Sequence, residues 1–440
     1  MKKLIVSAAA FAVVAFSAVA MAPTSALANS AFARQTGQAC SACHFQSIPR
    51  LNDFGRKFRI NAFRDTGTQG LIEDEGLSLP ASFNAGLNMM LAISNGKYEY
   101  NGVEEFGGGI FFLEDIPPAP AVGRIHSNTA VAWPTDAELV VGGRYGDNFG
   151  GVTTIGLIQG HTGLEHYKLA FVYDTEMGPV AIAGGSTTSR GVPYLLNDPS
   201  NVFGNNLAGW GWQSVALGVD STWNGTNAGV NSGGATALGL YTHLNGMAYL
   251  ALGGVIPAAI NNGMAVNFKL SPYVRAAFTG AVAGFDVVAG GWYYANKLGD
   301  YNSALLGVSN QTATQYGVDL QVQGAVNGVS IGFYLPWQIK GEDWTQATAT
   351  TDNDVTGLYP MLTVASGHFG ARLGYDYATI EFKGTATPKE KVKTWVVGAW
   401  YDVAQNVVVN LEYDNSKWDD GALGNTDKHS AITAAVEYVY

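Results

Sequence analysis

The sequence predicts an all-β chain: a transmembrane β-barrel of about 16 antiparallel strands behind a short helical N-terminal segment. Alternation is the first sign. From Ala81 to Ser94, Phe83, Ala85, Leu87, Met89, Leu91 and Ile93 fall on one face, and Asn84, Gly86, Asn88, Met90 and Ser94 on the other. Runs of this kind recur to the end of the chain, among them Tyr167–Tyr173, Phe285–Tyr294, Phe369–Phe382, Val407–Tyr413 and Ala431–Tyr440. The connections are the second sign. Tight turns such as Asn245-Gly246 and Asn327-Gly328 intersperse with long polar stretches such as Gly191–Gly211 and Lys340–Asp354. Composition is the third: 56 Gly, 21 Tyr, 20 Phe and only 13% charged residues. Beyond Ala28 no apolar run reaches the 18 or so residues of a membrane helix. The competing fold is a soluble propeller or sandwich, and no fixed-period repeat supports it.

The chain opens with Lys2 and Lys3, an apolar run from Leu4 to about Ala22, then Ala26-Leu27-Ala28. These are the parts of a signal peptide over residues 1–28, with the mature chain starting near Asn29; an uncleaved anchor is the alternative. Residues 29–80 read as a small head with its linker, and residues 81–440 as the barrel. At about 22 residues per strand and connection, the barrel segment holds roughly 16 strands.

The head contains Cys40-Ser41-Ala42-Cys43-His44, and its cysteines are the only two in the chain. Two thiols at this spacing with His next in sequence form the attachment motif of one covalently bound c-type haem. Each thiol adds to a vinyl group of the rigid porphyrin, and His44 supplies an axial ligand to the iron. A disulfide or half a zinc site would use the same cysteines, but a structural zinc needs four ligands and no second cluster is present. Leu51, Phe54, Phe58 and Ala62 recur at helical spacing, which predicts one short amphipathic helix with Phe54 and Phe58 packed on the cofactor. Residues 65–75, with Gly67, Gly70 and acidic Glu73-Asp74-Glu75, read as a linker. The head holds no methionine and no second histidine, so a strong sixth ligand must come from beyond the linker. The alternation that turns Met89 to lipid turns Met90 to the lumen, making Met90 the candidate. A water, an Asn or a lumenal His would serve instead.

Charge divides along the same line. Residues 29–65 carry six basic side chains and two acidic ones, net +4, and the remainder of the mature chain sixteen basic and 33 acidic, net −17. A basic head and an acidic barrel favour docking at or inside the periplasmic mouth. The remaining histidines (His126, His161, His166, His243, His368 and His429) are scattered without ligand spacing. No phosphate-binding Gly loop lies between a strand and a helix. Export argues against a nucleic-acid partner.

Phe32-Ala33-Arg34-Gln35-Thr36-Gly37, the Cys40–His44 motif, Pro49, Leu51 and Phe54-Gly55-Arg56-Lys57-Phe58 together resemble the head of the fused outer-membrane monohaem cytochrome c–porins of iron-oxidising bacteria. The resemblance covers about 30 residues closely and the barrel only in architecture and length. It implies an outer-membrane protein that oxidises extracellular Fe(II) through one haem and passes electrons to a periplasmic cytochrome, which makes iron(II) oxidase the candidate activity. Acidic segments Glu342–Asp354 and Asp414–Asp427 are candidates for transient Fe(II) contacts. The alternatives are a diffusion porin with a haem-bearing plug or redox gate, and a conduit for copper or a partner protein. Intact-mass measurement of the exported chain is expected to place its first residue at Asn29; a chain retaining Met1 would mean an anchor instead.

Overall fold

The structure, a computed structural model, describes residues 31–46, 50–67, 70–74, 77–81, 83–99, 125–158, 161–186, 236–256, 271–298, 308–346, 349–383, 389–404, 406–419 and 426–439. Expected strands and loops between 187 and 235 lie outside the described residues. Three short helices open it: α1 (Ala31–Thr36), α2 (Cys40–Cys43) and α3 (Asp53–Ile60). The segment read as a linker contains a small antiparallel pair, β1 (Leu71–Asp74) and β2 (Leu77–Pro80). The segments β3 (Ala85–Glu99) to β19 (Thr426–Val439) follow and close into a barrel, with β19 paired to β3.

The barrel has sixteen antiparallel strands, because two segments share one position. β14 (Ala349–Leu358) and β15 (Met361–Ser366) both pair with β13 (Val329–Gln346) and β16 (Phe369–Lys383). They are one strand broken at Tyr359-Pro360, where proline has no N–H for the ladder. β13 and β14 also correct the expected 340–354 loop. Its polar residues extend a hairpin that pairs as far as Gln346 and Ala349.

The strands are apolar outside and polar inside. On β18 (Val407–Asp419), Asn410, Glu412, Asp414 and Ser416 are buried while Leu411 and Tyr413 are exposed. On β17 (Glu390–Ala404), Trp395, Val397 and Tyr401 are exposed. Leu240, Leu252, Val274 and Val318 continue the outward belt. Arg275 lies inside in a two-point pair with Asp319 at 2.6 and 2.8 Å, and Arg372 inside with Glu412 at 2.8 Å. A water-soluble barrel would reverse this pattern; this one is built for the outer membrane. Among the described residues no helix is long and apolar enough to cross a membrane, so the strands do the crossing.

One end of the barrel carries the short turns. Asn245-Gly246, Ala283-Gly284 and Asn327-Gly328 all have positive φ at both positions, the two-residue turn whose twist matches that of the flanking strands. The head packs inside this end. Arg56 donates to Asp286 of β11 (Phe285–Leu298). Arg64 donates to both oxygens of Asp174 at 3.1 Å, on β6 (His161–Thr175). Gln46 Nε2 donates to the Ser330 carbonyl at 2.9 Å, and Lys168 Nζ to the Arg59 carbonyl at 3.1 Å. Arg50 lies between the rings of Tyr334 and Trp400, 5.9 and 5.5 Å from their centroids. These partners lie on strands far apart around the ring, so the head fills the lumen there. Replacing Arg56 and Arg64 together with Ala is expected to weaken docking by about 2 kcal/mol per lost charged hydrogen bond. Bilayer conductance should rise and the head should be cut faster by protease; unchanged conductance would show that the pore is closed by something else.

Candidate cofactor site

The site is assembled by the segment from Ala31 to Asn52. His44 turns back to form a bridge with Leu51, supported by Phe45 N donating to the Arg50 carbonyl at 2.8 Å. Asn52 then starts α3. Its side chain accepts from Gly55 N at 2.9 Å, a helix cap, and donates to the Ala42 carbonyl at 2.9 Å. Gly55 rests directly on α2. A Cβ at this position would stand 2.2 Å from the Cys43 carbonyl oxygen, so only glycine allows α3 to hold the motif this closely.

Phe32, Phe58 and Phe63 pack as a trio, with Phe32 stacked on Phe63 at 4.7 Å and Phe58 edge-on to both at 5.4 and 5.6 Å. Phe58 is 4% exposed, as the helical stripe predicts. Phe54, expected on the cofactor with it, is 45% exposed one turn nearer the start of α3, and the cavity lining does not include it. Gln35 joins this head to the barrel. Buried completely, it donates to the carbonyls of Phe63 and Asp65 and accepts from Asn84 Nδ2 at 2.9 Å and Arg144 N at 3.0 Å.

Head and wall enclose one apolar cavity. Cys40, Cys43 and His44 line it, together with the phenylalanine trio and Leu51 from the head and Gly86, Asn88, Val140, Val152 and Val439 from the barrel. Its volume is about 190 Å³, and it opens outward at its mouth. Both thiols are free. Burial raises the Cys40 thiol above its ordinary range, and burial with Cys40 alongside pushes Cys43 up to about 11. Among the described residues no three His, Cys, Asp or Glu gather as metal ligands. The residues fit a haem: two thiols and an imidazole at one edge of an apolar pocket, with aromatic rings to exclude water.

The structure brings Cys40, Cys43 and His44 together and leaves Met90 apart. Met90 packs against Ala92 and Ala435, next to a bulge in the pairing of β3 with β4 (Ile125–Arg144), and the cavity lining does not include it. Of the expected lumen face, Asn88 reaches the cavity. His243, one of the scattered histidines, bonds the Thr279 hydroxyl at 2.7 Å and does not line this cavity. Gln35 and Gly55 carried no signal in the sequence beyond their place in the head.

No protein-family model and no curated protein matches the sequence. Among solved structures, the chain is similar to the outer-membrane protein OmpT of Vibrio cholerae at 11% identity, covering 84% of this chain and 100% of that one, TM-score 0.45. It is also similar to an anion-selective porin from Comamonas acidovorans at 10% identity, covering 82% and 100%, TM-score 0.46. Identities this low carry no function across.

Gly55→Ala is expected to lift α3 off Cys43 and cost about 1–3 kcal/mol, the range of an overpacked core. The variant should unfold at lower denaturant in its head while the barrel transition stays in place, read by aromatic circular dichroism.

Proposed function

We propose that this protein is an outer-membrane electron conduit that takes single electrons from extracellular Fe(II) and delivers them to a periplasmic cytochrome. The observation that carries the reading is the shared cavity: the two thiols and the imidazole of the motif open into one apolar pocket whose far wall is the barrel itself. Cys40 and Cys43 would hold one haem covalently, and His44 would ligate its iron. Such a group, bound there, takes up and releases one electron at a time, which matches a one-electron donor. Phe32, Phe58 and Phe63 keep water from the pocket, and the clamp of Arg50, Arg56 and Arg64 fixes its place against the wall. The short-turn end, with the head, is the periplasmic side in a barrel of this kind.

The resemblance to fused cytochrome–porins supports the same reading and adds the donor. Oxidised iron hydrolyses and precipitates near neutral pH, so oxidation at the outer face keeps the product outside. The acidic barrel favours cation approach. Of the acidic segments named as Fe(II) contacts, Asp354 is paired with Lys383 at 2.9 Å, and Asp414 is a buried lumen residue of β18 rather than part of a loop.

A diffusion porin gated by its head is the second reading, favoured by the porin-like barrel and by a head held through side-chain contacts. Conductance separates the two, since a conduit stays closed in both redox states. The electron reading is tested by mixing anaerobic Fe(II) with the oxidised protein and following the visible spectrum. Fe(II) is expected to reduce it, His44→Ala to abolish the reaction, and high salt to slow it. If dithionite reduces the protein and Fe(II) does not, another donor must be sought.

A further inference from the structure

The cavity between head and wall has charge at one place. Of the described residues that line it, Arg59 of α3 is the one member of the Asp, Glu, Lys and Arg types, and it is 5% exposed. The neighbouring arginines of the head turn to the wall instead: Arg56 donates to Asp286, and Arg64 to Asp174. Gly55, Phe58 and Arg59 all line the cavity and share one face of the helix. Gly55 marks the end at which α3 rests on Cys43. Arg59 is four residues further on, about 6 Å along the axis at 1.5 Å per residue. Its long side chain therefore starts a full turn beyond the thiol edge of the cavity.

The barrel adds a second cation. Lys168 of β6 is 2% exposed and is directly opposite Val152, a residue of the lining. Its ammonium donates to the Arg59 carbonyl at 3.1 Å and lies over the rings of Phe63 and Tyr241, 5.6 and 5.2 Å from their centroids. Its described contacts are thus a carbonyl and two ring faces, not a carboxylate. Phe63, the ring it covers, lines the cavity in turn. Two buried cations beside an apolar space are costly, and an anion brought between them and that space lowers the cost. The cavity therefore suits an occupant that is apolar over most of its area and negative at the end away from the thiols.

A haem is such a molecule, with vinyl groups at one edge and two propionate carboxylates at another. We propose that Arg59, backed by Lys168 of the barrel, anchors the propionate edge of the haem held by Cys40 and Cys43. The planar fork of Arg59 matches a carboxylate in a way a point charge does not. Lys168 is a positioning residue: it holds the end of α3 that carries Arg59 and adds its own positive field. Positive charge on this side favours reduced over oxidised iron, so the pair raises the reduction potential. The proposal rests on the haem-bearing conduit reading and assigns the barrel a share in setting that potential.

The test uses the full-length, haem-loaded protein in detergent. Resonance Raman reads the propionate bending bands, and a redox titration reads the midpoint. Arg59→Gln is expected to move the bands and to shift the equilibrium about tenfold toward the oxidised form, about 59 mV lower for one electron. Arg59→Lys is expected to restore most of the potential while the bands still differ from wild type, because the fork is lost. Lys168→Met is expected to lower the potential with the haem still attached. Unmoved bands and an unmoved midpoint in Arg59→Gln overturn the anchor. Should heat-modified gel mobility show that this barrel fails to close, the other two variants decide: unmoved bands in Arg59→Lys, or an unmoved midpoint in Lys168→Met, overturn it. Haem staining of denatured gels separates the two readings. A wild type without covalent haem overturns the conduit reading and the anchor with it, whereas attached haem with unmoved bands and midpoint overturns the anchor alone.

Discussion

The guanidiniums of the head, buried against the inner wall of the barrel, are the contact on which the rest depends. Arg50, Arg56 and Arg64 each leave water, and each finds a partner supplied by a different part of the ring: a pair of aromatic faces, Asp286 and Asp174. A guanidinium taken from water without such partners would be costly. With them, the head has one seat and one orientation. That seat completes the cavity, because five of its nineteen lining residues belong to β3, β4, β5 (Phe149–Ile158) and the end of β19, and they close it only when the head is docked. A segment of this length could not enclose a large apolar group alone. The barrel serves the head as its missing core.

The same wall does two opposite jobs. Outward, Leu, Val and Tyr side chains meet lipid; inward, charged and hydroxyl side chains meet each other, the head or water. Strand geometry imposes this division, since successive residues point to opposite faces. It explains why a chain with few charges still places acids and arginines at specific heights along the lumen.

Much of this was legible in the sequence, for reasons that differ by element. The attachment proposed for haem ties Cys40, Cys43 and His44 to one spacing, so three residues pointed to the candidate site. Asn245-Gly246 and Asn327-Gly328 were readable because Asn and Gly tolerate positive φ; Ala283-Gly284 was not, since alanine rarely takes it. The hairpin of β13 and β14 was taken for a loop because its polar residues hide a pairing that only the neighbouring strands make evident. The face of Met90 followed from alternation, but its height did not. Register around the ring decides which wall residues reach the cavity, and it chose Gly86, Asn88, Val140, Val152 and Val439. The three short helices of the head were condensed into one, because two of them are too short to show a period.

The tether between head and wall is short. From Gly67, whose N–H still bonds the Gln35 carbonyl at 3.2 Å, the chain makes one small hairpin and reaches Asn84, itself bonded to the Gln35 side chain. Docking is therefore intramolecular at both ends of the linker, and the local concentration of the head at its own seat is on the order of millimolar or higher. Individually modest contacts then suffice to keep it in place. A head that loosens stays within reach of its seat, so opening takes the form of brief flicker rather than departure. The lumen behaves as though permanently occupied even when single contacts fail.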